Sequence, residues 1–258
     1  MYFIFDLDET LAELYTMYYF IESLKGKEIP KSLTASLHKA YKKFVIGILE
    51  QEVSDRPLGI LRPGILGVMS KLSRLKKAGK IKGVIIYSNN SHLESLEFIR
   101  DLIHKHIGTR LIKDCIHFNH PMRSPNNINK TWNEIKKIIM KGKCNASNID
   151  PNTVYFFDDR YHPDLQNTLD NYYKVPAYHF KASFDRVADV YKDAISEVDM
   201  NVFKKYVHIM TDEKREKSEK TILQIFKKQT GYTTNTKPPM PDKGIDMMMS
   251  AIDNINCV

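Results

Sequence analysis

Apolar and polar positions along this 258-residue chain follow two rhythms. The first is the short unbroken apolar run. Tyr2–Phe5, Gly83–Tyr87 and Val154–Phe157 are such runs, rich in β-forming residues. They predict strands buried on both faces, as in a parallel sheet. Two more strands are predicted near 112–118 and over 175–180. The second rhythm is helical. It predicts helices over 12–25, 31–52, 64–78, 92–106, 130–140, 184–210 and 212–229. In 31–52, Leu33, Leu37, Tyr41, Phe44, Ile48 and Leu49 share one face. In 64–78, Ile65, Val68, Met69, Leu72 and Leu75 do so. Ser91 is the expected cap of helix 92–106, and Lys130 opens the helix that runs to Met140. Gly26, Pro30, Gly59 and Arg62-Pro63-Gly64 punctuate the pattern. Residues 119–129 read as a loop.

Strands alternating with helices imply βαβ units. The expected fold is therefore α/β, a doubly wound parallel sheet with a Rossmann-like core and a small helical insert after the first strand. Residues 1–11 and 59–230 are assigned to the core and 12–58 to the cap-like insert. Residues 231–258 form a linker and a short amphipathic tail. Its Met-rich segment, 247–255, is expected to dock back on the core, with partner binding as the other use.

Composition narrows the class. With 39 Lys and Arg against 31 Asp and Glu, the chain carries +8. That excess favours an anionic partner, either a phosphorylated group, an acidic protein tail or nucleic acid. A Lys-rich solubilising surface explains it equally well, and the alternating signs over 213–228 read as a solvated helix face. Cys115, Cys144 and Cys257 form no paired spacing, which argues against a disulfide framework or a zinc site. No apolar stretch approaches membrane-spanning length and no leader pattern opens the chain. An intracellular protein, cytoplasmic or nuclear, is expected.

The chemistry lies where the strands end. The first runs into Asp6-Leu-Asp8-Glu9-Thr10, the second into Ser88-Asn89-Asn90, and the fourth into Asp158-Asp159. A doubly wound sheet brings such ends to one crest. Carboxylates at i, i+2 can lean to the same side, so one could attack and hold a metal while the other handles a proton. Each group alone has a plainer role as cap, turn or solvated side chain. Their joint placement is what points to a site.

These residues resemble the haloacid dehalogenase superfamily of phosphohydrolases, whose four motifs have counterparts here in order. Phe3-Ile-Phe-Asp6-Leu-Asp8-Glu9-Thr10 is similar to the first, Val84-Ile-Ile-Tyr-Ser88-Asn89 to the second, and Val154-Tyr-Phe-Phe-Asp158-Asp159 to the fourth. For the third, a lysine opening the helix before the last strand, Lys130 is preferred over Lys113, Lys136 and Lys137. The resemblance covers residues 1–180. Asp6 to Leu11 and Arg62-Pro63-Gly64 are similar to the branch acting on the RNA polymerase II C-terminal domain and related phosphoproteins. The helical insert at 12–58 and Ser-Asn-Asn in place of Thr-Ala-Ser depart from that branch.

The resemblance implies phosphate-monoester hydrolysis through an aspartyl phosphate. Asp6 is then the nucleophile and Asp8 the general acid and base. Ser88, the Asn89 amide and Lys130 hold the phosphoryl group, with the Leu7 and Glu9 amides completing the cradle. Mg²⁺ would bind Asp6, the Asp8 carbonyl, Asp158 and Asp159, with the order within the last pair left open. The substrate is a phosphoprotein or a small phosphorylated metabolite or nucleotide. A catalytically weak scaffold protein and a nucleic-acid-end phosphatase are the alternatives. Arg123 and His120 could face the substrate, and Trp132 is assigned to the core. The pairs His104/His106 and His117/His120 read as surface or loop histidines rather than metal ligands.

Overall fold

The structure is a computed structural model that describes residues 1–14, 31–55, 57–125, 127–141, 149–179, 184–196 and 242–257. Among these residues five strands form one all-parallel sheet: β1 (Tyr2–Phe5), β2 (Gly83–Tyr87), β3 (Ile112–Ile116), β4 (Val154–Asp158) and β5 (Tyr172–Lys174). Their order is β3-β2-β1-β4-β5. Phe5 pairs with Ile86 on one side and Phe157 on the other, so β1, β2 and β4 end at one level. The chain builds outward from β1 in one direction through β2 and β3, then returns to β1 and builds the other way. The carboxyl ends of β1, β2 and β4 thus border the crevice that strand-order reversal creates.

The helices beside this sheet are α2 (Ile65–Lys77), α3 (Leu93–Ile107), α4 (Trp132–Met140), the short α5 (Pro163–Thr168) and α7 (Lys243–Asp253). On one face Tyr2, Ile4, Ile85, Tyr87 and Phe156 pack under Ile135, Ile138 and Ile139 of α4 and Leu165 of α5. The opposite face carries Phe3 and Phe5, whose rings stack on Tyr155 and Phe157 at 4.7 and 4.9 Å. Helix α3 lies on that face, where Cys115 Sγ approaches the Leu96 carbonyl at 3.9 Å. Helix α2 packs beside α3, and α7 packs against α2. Helices on both faces explain why β1 and β2, at the middle of the sheet, are buried at every position. Among the described residues no helix is long and apolar enough to cross a membrane.

Two compact units emerge. The first gathers the described parts of 1–13, 62–179 and 239–258; the second holds those of 14–61 and 180–238. The expected core range of 59–230 therefore stops at His179. The cause is α6 (Phe184–Ile195), which packs on α1 (Lys31–Glu52) in the second unit. Its buried Val187, Ala188, Tyr191 and Ala194 form one stripe, and the Tyr191 ring meets Phe44 edge-on at 6.4 Å. Arg186 adds a hydrogen bond of 2.8 Å to Gln51. The tail segment is helical and docks in the first unit, with Met248, Ala251 and Ile252 buried.

Three further expectations shift. The fifth strand is Tyr172–Lys174, not 175–180. Val175 does continue toward β4 through its amide, but Tyr178 turns its amide to the Glu9 carbonyl at 2.7 Å and leaves the sheet. Helix α3 is not capped by Ser91. His92 occupies the cap without a side-chain bond, and Asn90 Oδ1 accepts the His92 amide instead. Lys130 does not open α4; Thr131 is its N-cap, so Lys130 stands one residue outside the helix. The expected helices 12–25 and 212–229, most of 184–210, and the 231–243 linker lie largely or wholly outside the described residues, as does Cys144.

Candidate active site

Four segments converge at the carboxyl edge of β1, β2 and β4. The first is the turn after β1. Its Leu11 and Ala12 amides both return to the Leu7 carbonyl, and the Glu9 amide donates to Ala12. Glu9 adopts φ 60, a left-handed conformation that non-glycine residues rarely take, which tightens the turn. The Glu9 amide is thereby occupied and drops out of the expected phosphate cradle.

Lys130 is the centre of the arrangement. Its side chain is 1% exposed, with Nζ 2.5 Å from Asp6 Oδ1 and 2.7 Å from Asp158 Oδ2. The competing lysines do neither. Lys113 is exposed on β3, and Lys136 lies over the Trp132 ring, which is half-buried at the edge of the core. On the other flank Ser88 Oγ donates to Asp8 Oδ2 at 3.2 Å, and Asn90 Nδ2 reaches both Asp8 oxygens at 3.2 and 3.3 Å. Thr10 Oγ1 accepts the Asp159 amide at 3.0 Å, tying the turn after β1 to the end of β4. Asp6, Asp8, Ser88, Lys130, Asp158 and Asp159 therefore share one crevice.

Asn89 is placed differently. Its side chain turns to the loop that leads to Lys130, donating to the Ile128 carbonyl at 2.8 Å and accepting from Arg123 at 2.7 Å. Arg123, expected as a candidate to face the substrate, turns inward. It is buried, donates to the Ser88 carbonyl at 2.8 Å, and lies over the Tyr87 ring. His120 Nδ1 accepts the Met122 amide, and His104 Nε2 accepts the Ile112 amide, so both are engaged in backbone structure.

Charge is concentrated here. Three carboxylates, Asp6, Asp158 and Asp159, place ligand oxygens within 4.8 Å of one another. Asp8 stands beside them, and Lys130 is the buried ammonium that pairs with the cluster. Burial, reinforced by Asp158 and Asp8, pushes the Asp6 carboxyl well above its usual range despite Lys130. Burial also acts on Asp158, but Lys130 and the His162 hydrogen bond override it and hold that carboxyl low. Burial raises Asp8 against the opposing bonds of Asn90 and Ser88. For Lys130, burial is outweighed by Asp6 and Asp158, which keep its pKa above the ordinary lysine value. A surplus of hard oxygen donors with uncompensated negative charge fits a divalent cation of the Mg²⁺ type. Asp6, Asp158 and Asp159 could hold it.

Sequence reasoning missed His162 and Asn90 as members of the site. His162 is buried and bonds Asp158 at 3.1 Å. The Pro163 that follows marks a helix start and gave the available signal. No family model, curated protein or solved structure matches this chain.

Proposed function

We propose that the chain is a Mg²⁺-dependent phosphohydrolase of haloacid dehalogenase type that cleaves phosphate monoesters through an aspartyl phosphate on Asp6. One observation carries the reading. A buried lysine from a loop bridges carboxylates at the ends of two adjacent parallel strands, beside a third carboxylate held by a strand-end serine.

The Asp6 carboxylate attacks phosphorus, forming an acyl phosphate as the ester P–O bond breaks. Asp8 delivers its proton to the leaving oxygen; its raised pKa suits a group that must carry one. Asp8 then takes a proton from water, which attacks phosphorus and frees Asp6. Lys130 balances charge on Asp6 and the phosphoryl oxygens, while Ser88 and the Asn89 amide orient those oxygens. Asp6, Asp158, Asp159 and the Asp8 carbonyl would hold the metal, whose charge would favour the ionised form of Asp6 and offset that of the phosphoryl oxygens.

The test is hydrolysis of a chromogenic phosphate ester with Mg²⁺ and with chelator, followed by a panel of phosphopeptides, metabolites and nucleic-acid ends. Turnover that needs the metal and vanishes in Asp6→Asn is expected. Metal-independent turnover, or full turnover by that variant, rejects the reading.

A further inference from the structure

Lys130 stands outside α4, so helical hydrogen bonding does not fix its backbone. A second segment does. His162 Nδ1 accepts the Lys130 amide at 3.2 Å, and Asp164 Oδ2 accepts the Trp132 amide at 2.6 Å. These two bonds grip the chain on either side of Thr131. The far side of the His162 ring, Nε2, faces Asp158 Oδ2 at 3.1 Å. Because Nδ1 accepts the hydrogen bond of the Lys130 amide, the ring hydrogen is on Nε2, which donates to Asp158.

The gripping segment is itself anchored. The Tyr172 hydroxyl on β5 accepts the His162 amide at 3.2 Å and donates to the Arg160 carbonyl at 2.5 Å. The His162 ring is 3% exposed and meets Phe156 edge-on at 6.4 Å. Pro163 at the first position of α5 pre-sets the backbone there. An imidazole with one accepting and one donating nitrogen, locked by an aromatic wall, thus joins a backbone amide of one loop to a carboxylate of β4.

We propose that His162 and Asp164 are positioning residues that hold the Lys130 ammonium in register with Asp6 and Asp158. The proposal rests on the reading of Lys130 as the phosphate-facing cation. A lysine has four rotatable bonds, and its reach is set by where its backbone is pinned. Loss of either grip lets the ammonium withdraw without removing it, so the charge remains in the protein but its placement degrades.

His162→Phe, His162→Gln, Asp164→Ala and Asp164→Asn are compared with the unaltered full chain. Hydrolysis of a chromogenic phosphate monoester in Mg²⁺ gives kcat and KM. Acylation of Lys130 by an amine-directed reagent, located by peptide mass spectrometry, reports its protection without any need for activity. His162→Phe and Asp164→Ala should lower kcat about tenfold or more, with a smaller change in KM, and speed Lys130 acylation. His162→Gln keeps one acceptor and one donor, and Asp164→Asn keeps the acceptor; both should recover most of kcat and most of the protection. Unchanged kcat and acylation in His162→Phe and Asp164→Ala overturn the proposal, as does the absence of recovery in both conservative variants. Should the unaltered protein hydrolyse no ester, the phosphatase reading fails, and the acylation rates alone decide whether the grip holds Lys130.

Discussion

At the scale of single residues, the site is a place where stability and chemistry oppose each other. Asp6, Asp8, Asp158 and Asp159 crowd one buried ammonium. Since the folded-state pKa of Asp6 is raised above its unfolded value, folding retains a proton there that the unfolded chain releases. Its ionisation therefore weakens the metal-free fold as pH rises from the ordinary carboxyl range toward that raised value. Asp6→Asn replaces a carboxyl whose ionisation the metal-free fold opposes and keeps an oxygen for Lys130 to donate to. In metal-free solution at neutral pH it should unfold at an equal or higher denaturant midpoint than the unaltered protein. It should also lose most of the stabilisation that added Mg²⁺ confers, which grows with the logarithm of ligand concentration. Lys130→Met acts oppositely. It leaves Asp6 and Asp158 buried without their cation and should cost about 3–5 kcal/mol, part of it recovered in Mg²⁺. Equilibrium urea unfolding of both variants, with and without the ion, checks the pair. A destabilised Asp6→Asn together with an unaffected Lys130→Met would remove the claim of surplus negative charge.

Elements differ in how openly the sequence declares them. Strands β1, β2 and β4 were legible because burial on both faces demands unbroken apolar runs, and α1 because apolar residues recur at helical spacing from Leu33 to Leu49. Strand β5 was not, since Tyr172–Lys174 is a short, half-exposed edge strand, while of the buried residues that follow, Val175 still bonds β4 and Tyr178 turns toward the β1 loop. Among site residues, those directly after a strand could be placed from order alone. Lys130 could be ranked by position along the chain, whereas the grip of His162 depends on a tertiary meeting of two loops with no local spacing. Glu52 at the end of α1 was equally unread. Its Oε1 accepts the Ile60 amide at 2.9 Å, and burial drives its pKa up to about 7 against the bonds from Ile60, Leu61 and Gly59 and the charge of Arg186. The sign follows from proton counts. Between the ordinary glutamate value and about 7 the folded state holds a proton that the unfolded state has released, so stability falls as pH rises through that window. Glu52→Gln keeps the acceptor and cannot ionise. It should flatten the fall, gaining about 2 kcal/mol at pH 8 and almost nothing at pH 4. Thermal unfolding across that range is the measurement, and an equal gain at both ends contradicts the assignment.

Across the whole molecule, the first unit is assembled from three separated stretches of chain, and a single buried arginine joins them. Arg62 donates Nε to Asp242 at 2.8 Å, one terminal nitrogen to the Thr10 carbonyl at 3.0 Å, and the other to the Pro176 carbonyl. Asp242 in turn caps α7 through the amides of Gly244 and Ile245. Docking of the C-terminal helix is thereby linked to the turn that carries Asp6 and Asp8, because Thr10 belongs to that turn and its hydroxyl holds the Asp159 amide. Gly244 permits the approach: a Cβ there would stand 2.8 Å from the Arg62 guanidinium carbon. That guanidinium is fastened on three sides and cannot swing aside as a free arginine tip would. Gly244→Ala should therefore destabilise by about 1–3 kcal/mol, as overpacking does. Asp242→Ala, which strands a buried cation and uncaps a helix, should cost more, about 3–5 kcal/mol. If the linkage is physical, both variants lower the denaturant midpoint and also weaken Mg²⁺-dependent stabilisation, although neither residue touches the carboxylate cluster. Loss of stability with an unaltered response to the ion would make α7 a passive cover. A weakened response in both, measured where each variant is still fully folded, would make the C-terminal helix part of what keeps the aspartates in place.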